Sequence, residues 1–145
     1  QIRIVVDATN ELLKNVLPYH PFLIKPNHHE LAEMFQETIQ TEDEIIMYAK
    51  KLRTMGACNV LVSMGAKGAI LVDEYDTIHK IGVPSGKQKY SVGAGDSMVA
   101  GFLAGFMRTN QYETALKLGT AAGSATAFSQ GLATKDMIER LLAEL

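Results

Sequence analysis

Cysteine is almost missing from this chain of 145 residues, with Cys58 the single example. One thiol excludes an internal disulfide and any metal site built from several thiolates, and it points to a reducing, cytoplasmic setting. No apolar run is long enough to cross a bilayer, and no charged-then-apolar segment of signal type opens the sequence. Basic residues are scattered and the formal net charge is only -2, so nothing marks a partner such as nucleic acid or an anionic membrane surface. Repeats, low-complexity tracts and a dividing linker are also wanting. What remains is apolar content enough for a core and a length that suits one domain.

The sequence opens abruptly. Gln1 leads straight into "IRIVVDAT", a continuous β-branched run of the kind that forms a strand covered on both faces. A chain that starts inside its own core is expected to be a portion of a longer one.

Further along, "NELLKNVL" has the spacing of a short amphipathic helix closed by Pro18, and "FLIK" reads as a second strand stopped by Pro26. "NHHELAEMF" begins another helix, with Asn27 at the N-cap position and Glu30 three residues on. Thr41 and Glu44 repeat that pattern ahead of "DEIIMYAKKLRTMG", where Gly56 marks the stop. "NVLVSM" predicts a third buried strand, followed by the turn "GAKG", the strand "AILV", a polar turn at 73–76 and "TIHKIGV". From Gly93 onward three helical segments are predicted: "AGDSMVAGFLAGFMR", "YETALKLGTAAGSATAFSQ" and "KDMIERLLAEL". This alternation implies an α/β sheet wrapped by helices, with parallel crossovers first and an antiparallel section after them.

One stretch carries chemistry. In "SVGAGDSMVAGF" the turn Gly93-Ala94-Gly95 lies between an irregular polar segment and an apolar helix. Backbone N–H groups converge at such a junction at the positive end of the helix dipole, and glycines let an anion come close. The turn is no dinucleotide fingerprint, since Met98 stands where a third small residue belongs, and it lacks the Gly-Lys-Ser/Thr of a Walker loop. Asp96 would repel a phosphate held beside it. It makes sense against a hydroxyl that must lose its proton to attack a phosphoryl group, while the N–H groups hold the transferred charge. The plainer reading is an acid that steadies the first turn of a helix. Spacing alone leaves both open.

"VGAGDSMVAGFLAG" resembles the C-terminal signature of the ribokinase-like (PfkB) carbohydrate kinases, nearest to their 1-phosphofructokinase branch and less near to the tagatose-6-phosphate kinases. Three further segments resemble family elements in the same order. "KPNHHEL" is similar to the Asn-x-x-Glu element, "VSMGAKGAIL" to the nucleotide-binding strand-turn-strand, and "GTAAGSATAFSQG" to the small-residue helix beside the adenine. The resemblance covers nearly the whole chain.

It implies a ribokinase-like three-layer α/β/α sandwich of which residues 1–145 are the C-terminal part, with the N-terminal strands and β lid lying outside. Asp96 then corresponds to the catalytic base, and Gly93, Ala94 and Gly95 to the anion hole. Asn27 and Glu30 correspond to the pair associated with Mg2+, held through water. Ser63, Gly65, Lys67 and Gly68 correspond to the nucleotide-side turn, and Ala122 and Gly123 to the adenine-side helix. The implied reaction is transfer of the ATP γ-phosphoryl group to fructose 1-phosphate, giving fructose 1,6-bisphosphate. A sister kinase acting on tagatose 6-phosphate or another sugar is the first alternative. A non-catalytic nucleotide- or anion-binding domain is the second, and it is what the isolated chain is expected to be. A homodimer of the intact protein is a further implication. Tyr90 departs from the family, which has Asp, Asn, Ser or Lys there.

Bland roles stand beside these. Asn27 and Glu30 also satisfy a helix N-terminus without metal. Lys67 also serves as a polar turn residue, and the small residues 119–127 serve close helix packing. His28 and His29, adjacent on a helix, are expected to point to different faces and into solvent. Cys58 reads as a small core residue, since no activating partner is in evidence.

Overall fold

Capping and chain breaks place the first half. The computed structural model describes residues 2–145. The strand β1 (Val5–Val6) pairs in parallel with β2 (Leu23–Ile24), which pairs in parallel with β3 (Asn59–Ser63). Crossovers run through α1 (Asn10–Val16), then through α2 (His28–Phe35) and α3 (Glu42–Thr54). Pro18 enters a 3-10 turn, Leu17–Tyr19, that ends α1. Both α2 and α3 start in full capping boxes, Asn27 with Glu30 and Thr41 with Glu44. After α3 the chain needs Gly56: its φ is 134°, and a Cβ there would lie 2.0 Å from the Leu17 carbonyl oxygen.

The sheet then turns antiparallel. The strand β4 (Ala69–Val72) runs back along β3 with Leu61 opposite Leu71, and β5 (Ile78–Ile81) lies beyond it, giving the order β1-β2-β3-β4-β5. Leu17, Ile24, Leu31, Leu52, Val60 and Ile70 form the heart of this unit, none more than 1% exposed. Each such side chain contributes roughly 1.5–3 kcal/mol by leaving water.

Two polar ties lock the far end of the sheet. The buried Asn59 amide donates to the Phe22 carbonyl at 2.7 Å and accepts the Glu74 N–H at 2.8 Å. Arg53 of α3 donates to the carbonyls of Cys58 and Glu74 and pairs with Asp76.

The cover expected on both faces of β1 is not found within this chain: Val5 and Val6 are half-buried and Ile2 is 90% exposed. Among the described residues β1 pairs with β2.

The chain divides into two compact units, this sheet unit (Gln1–Gly65 with Ala69–Lys80) and a helical one (Ala66–Gly68 with Ile81–Leu145). The helical unit comprises α4 (Ala94–Thr109), α5 (Tyr112–Ala127) and α6 (Lys135–Leu142). Asn110 caps α4 in the left-handed conformation with its N–H on the Phe106 carbonyl, and the short link sends α5 back along α4. Small residues set how close the two come. A Cβ on Gly101 would lie 2.7 Å from the Leu118 carbonyl oxygen and 2.8 Å from the Ala122 Cβ, and one on Gly119 would lie 2.8 Å from the Met98 carbonyl oxygen. The packing role of residues 119–127 is therefore real. Leu141 of α6 packs on Ala121 and Ala125.

The sequence pattern carried α5 on to Gln130, but it stops at Ala127. The Ala127 carbonyl is taken by the N–H groups of Lys89 and Tyr90, which diverts the acceptor a longer helix would use.

Candidate active site

The turn that carries Asp96 is built by its glycine. Gly93 caps α4 with φ 79°, a conformation that a side chain would strain. Its carbonyl accepts the Ser97 N–H at 2.9 Å, and the Ala94 N–H donates to Ser91 at 3.2 Å. Among the described residues, the N–H groups of Gly93, Gly95 and Asp96 find no backbone acceptor, as the first turn of a helix requires. Three donors and a helix dipole thus gather where the sequence predicted an anion hole, though Ala94 gives up its N–H to the turn and Asp96 supplies one instead. The Asp96 side chain is exposed in the first turn of α4 and makes no ion pair or hydrogen bond among the described residues.

The α5 helix backs this turn. A Cβ on Gly123 would lie 3.0 Å from the Ala94 carbonyl oxygen, and Ala122 is buried toward Gly101. Thr126, 2% exposed, donates its hydroxyl to Ser97 Oγ at 2.8 Å. Tyr90 is held by its backbone on Ala127, while its side chain is 57% exposed.

Other predicted residues sit in the sheet unit, at the carboxyl ends of its parallel strands, where open α/β sheets bind ligands. Asn27 Oδ1 accepts the N–H groups of His29 and Glu30, both at 2.9 Å, and Glu30 Oε2 accepts the Asn27 N–H at 2.8 Å. One oxygen of each is thereby committed to capping, and Glu30 Oε1 takes no hydrogen bond among the described residues. No group of three or more His, Cys, Asp or Glu among those residues is placed to hold a metal ion. A hydrated magnesium ion, which needs few protein ligands, is compatible with the open Glu30 Oε1. Ser63 pairs with Asn27 in an isolated parallel bridge. Its carbonyl also lies 3.4 Å from His28 Nδ1.

Gly65 opens a 3-10 turn, Gly65–Lys67, with φ 60° and no neighbour within reach of a Cβ. Lys67 is exposed and has no ion-pair partner among the described residues. Gly68, with φ 95°, is forced by packing: a Cβ would lie 1.9 Å from the Ile81 carbonyl oxygen. Asn27, Glu30, Ser63 and Gly65 thus belong to the sheet unit, and Lys67, Gly68, the 93–96 turn, Ala122 and Gly123 to the helical unit.

Two further readings are settled by contacts. The rings of His28 and His29 do not diverge: their centroids are 3.9 Å apart. They stand in the first turn of α2, where no preceding turn restricts their rotamers. Burial pushes the Cys58 thiol up, and nearby Glu74 adds to this against an opposing pull from Arg53, so the thiol is not activated.

Sequence reasoning missed two pairs. Lys25, 7% exposed, lies 3.4 Å from Asp7 Oδ1, joining the ends of β2 and β1. A lysine closing a buried apolar run was the available signal. Nothing in the sequence singled out Ser97 with Thr126.

A parallel sheet with crossover helices, followed by an antiparallel section and a glycine-led helix bearing Asp96, defines a ribokinase-like fold. The ribokinase of Arabidopsis thaliana solved with ribose and ATP shares it at TM-score 0.81 and 23% identity, over 97% of this chain and 47% of that one. The chain belongs to the pfkB family of carbohydrate kinases, which matches residues 2–139. It is 47% identical over 143 residues to the 1-phosphofructokinase of Bacillus subtilis, covering 99% of this chain and 47% of that protein. To the D-tagatose-1-phosphate kinase of Bacillus licheniformis it is 36% identical, over 100% and 48% respectively. Phosphofructokinase-2 of Escherichia coli, solved with substrates and products, superposes at TM-score 0.90 and 31% identity, over 98% of this chain and 47% of that one. The chain therefore spans about half the length of the curated relatives it matches. Among the described residues no helix is long and apolar enough to cross a membrane.

Proposed function

We propose that the protein carrying this chain is an ATP-dependent sugar-phosphate kinase that converts fructose 1-phosphate to fructose 1,6-bisphosphate. The observation that carries the reading is the 93–96 turn, where open N–H groups and an unpaired carboxylate share one helical turn. In this reading Asp96 takes the proton of the sugar hydroxyl as its oxygen bonds to the γ-phosphorus and the bond to the ADP oxygen breaks. The N–H groups of Gly93, Gly95 and Asp96 hold the negative charge of the group in transfer. Asn27 and Glu30 would hold magnesium through water, and the ion would neutralise phosphate charge. Lys67 is the exposed cation of the nucleotide turn, and Ala122 and Gly123 would serve the adenine side indirectly, by letting α5 pack closely on α4. Catalysis then rests on positioning and charge, with no covalent intermediate.

Likeness to the Bacillus subtilis 1-phosphofructokinase supports fructose 1-phosphate as acceptor. The Bacillus licheniformis relative favours a second acceptor, tagatose 1-phosphate. The test is release of ADP by the whole protein with magnesium and a panel of both, plus fructose 6-phosphate and tagatose 6-phosphate. The highest kcat/KM is expected for fructose 1-phosphate. A higher value for another sugar would overturn the substrate, and turnover with none would overturn the kinase reading. The 145-residue chain assayed alone is expected to show negligible turnover.

A further inference from the structure

Asp96 and the open N–H groups occupy a segment of five residues, 93–97, and one side chain from another helix is hydrogen-bonded to its far end and lies on the side of Gly93 where a side chain would project. That side chain is Thr126, in the last turn of α5 and 2% exposed. At the far end its hydroxyl donates to Ser97 Oγ at 2.8 Å. At the near end its methyl group faces Gly93, where a Cβ would lie 3.8 Å from Thr126 Cγ2. The same hydroxyl accepts the Ala133 N–H at 3.3 Å, so its donor and one acceptor lobe are both engaged. The Gly93 carbonyl closes the segment from within by accepting the Ser97 N–H at 2.9 Å.

Small apolar residues, Gly119, Ala121, Ala122, Gly123 and Ala125, fill most of the α5 contacts, and Thr120 and Ser124 are buried there beside them. The Thr120 hydroxyl has no hydrogen-bond partner among the described residues, whereas the Thr126 hydroxyl is bonded to both Ser97 and Ala133. A buried hydroxyl with two well-placed partners fixes a rotamer, and the rotamer fixes Ser97, the residue next to Asp96. The first turn of α4 has few backbone hydrogen bonds of its own, so an outside tether decides how far its N–H groups and carboxylate wander.

We infer that Thr126 is a positioning residue of the phosphoryl-transfer site, acting through Ser97 to hold the 93–97 segment in the geometry that reaction needs. The inference rests on the proposed kinase reading and adds to it a residue that touches no substrate. It predicts a separation of kcat from KM, because a loosened turn still admits ATP but orients it poorly.

The test uses the whole protein and four variants: Thr126→Val, Thr126→Ser, Ser97→Ala and the double Thr126→Val/Ser97→Ala. Thr126→Val and Ser97→Ala should each lower kcat roughly ten- to hundredfold with the KM for ATP within about threefold of wild type. The double variant should lose no more than the worse single one, since both remove the same bond. Thr126→Ser keeps the hydroxyl and should retain kcat within about threefold. Equal kcat in wild type, Thr126→Val and Ser97→Ala would overturn the inference, as would losses that multiply in the double variant. Should Thr126→Val fail to fold, Ser97→Ala and Thr126→Ser decide it alone. Asp96→Asn, run alongside, separates the failures: if it is inactive while Thr126→Val and Ser97→Ala have normal kcat, the site stands and the tether falls. If Asp96→Asn is fully active, the site reading itself has failed.

Discussion

Asn27 and Glu30 hold each other: the Asn27 side chain accepts the Glu30 N–H at 2.9 Å, and the Glu30 carboxylate accepts the Asn27 N–H at 2.8 Å. This reciprocity lets the capping and magnesium roles of the pair be told apart. Glutamine keeps the capping geometry and loses only the charge. Glu30→Gln should leave the melting temperature of the whole protein nearly unchanged while raising the magnesium concentration needed for half-maximal turnover severalfold. Asn27→Ala should cost about 1 kcal/mol of stability at any magnesium level. An unchanged magnesium requirement in Glu30→Gln would leave the cap as the whole role of that carboxylate.

Asp73 couples the stability of the sheet unit to acid. Burial pushes its carboxyl up, but the hydrogen bond from His79 and those from the N–H groups of Thr77 and Tyr75 outweigh this and hold it below its ordinary value. A depressed carboxyl contributes stability that is present above the unfolded value of about 3.9 and is lost as pH falls through the folded one. Urea denaturation of wild type from pH 7 down to 3 should therefore show a steeper loss than Asp73→Asn shows below about pH 4. At pH 7 the variant should be less stable by roughly 1–3 kcal/mol, since it disturbs a buried, fully bonded carboxylate. Parallel pH profiles would contradict the assignment.

The α4–α5 contact makes a prediction about glycines. Gly101→Ala places a Cβ 2.7 Å from the Leu118 carbonyl oxygen and should destabilise by roughly 1–3 kcal/mol. Gly82 has no atom within reach of an added Cβ, so Gly82→Ala should be neutral or slightly stabilising. Thermal melts of the two variants check this, and equal melting temperatures would mean that α4 and α5 pack less closely than described.

Much of this was legible because it is local. Both capping boxes, the stop at Gly56 and the glycine-led start of α4 depend on residues within one turn of each other, and each was read from spacing. The end of α5 was misplaced because a distant loop takes the Ala127 carbonyl. The Ala94 N–H was counted among the open donors, but its use by the Ser91 carbonyl is a matter of turn geometry and not of residue type. Lys25 with Asp7 and Ser97 with Thr126 join separate elements, and no spacing rule links them.

The central claim is that Asp96 is the base. In the whole protein, Asp96→Asn keeps the shape of the turn, the three open N–H groups and the cap at Gly93, and removes only the proton acceptor. Steady-state turnover with ATP, magnesium and fructose 1-phosphate, measured beside ATP affinity, is the most direct test. The account predicts a fall in kcat of roughly a hundred- to ten-thousandfold with ATP affinity nearly intact. A variant that binds ATP normally and keeps most of its turnover would contradict it.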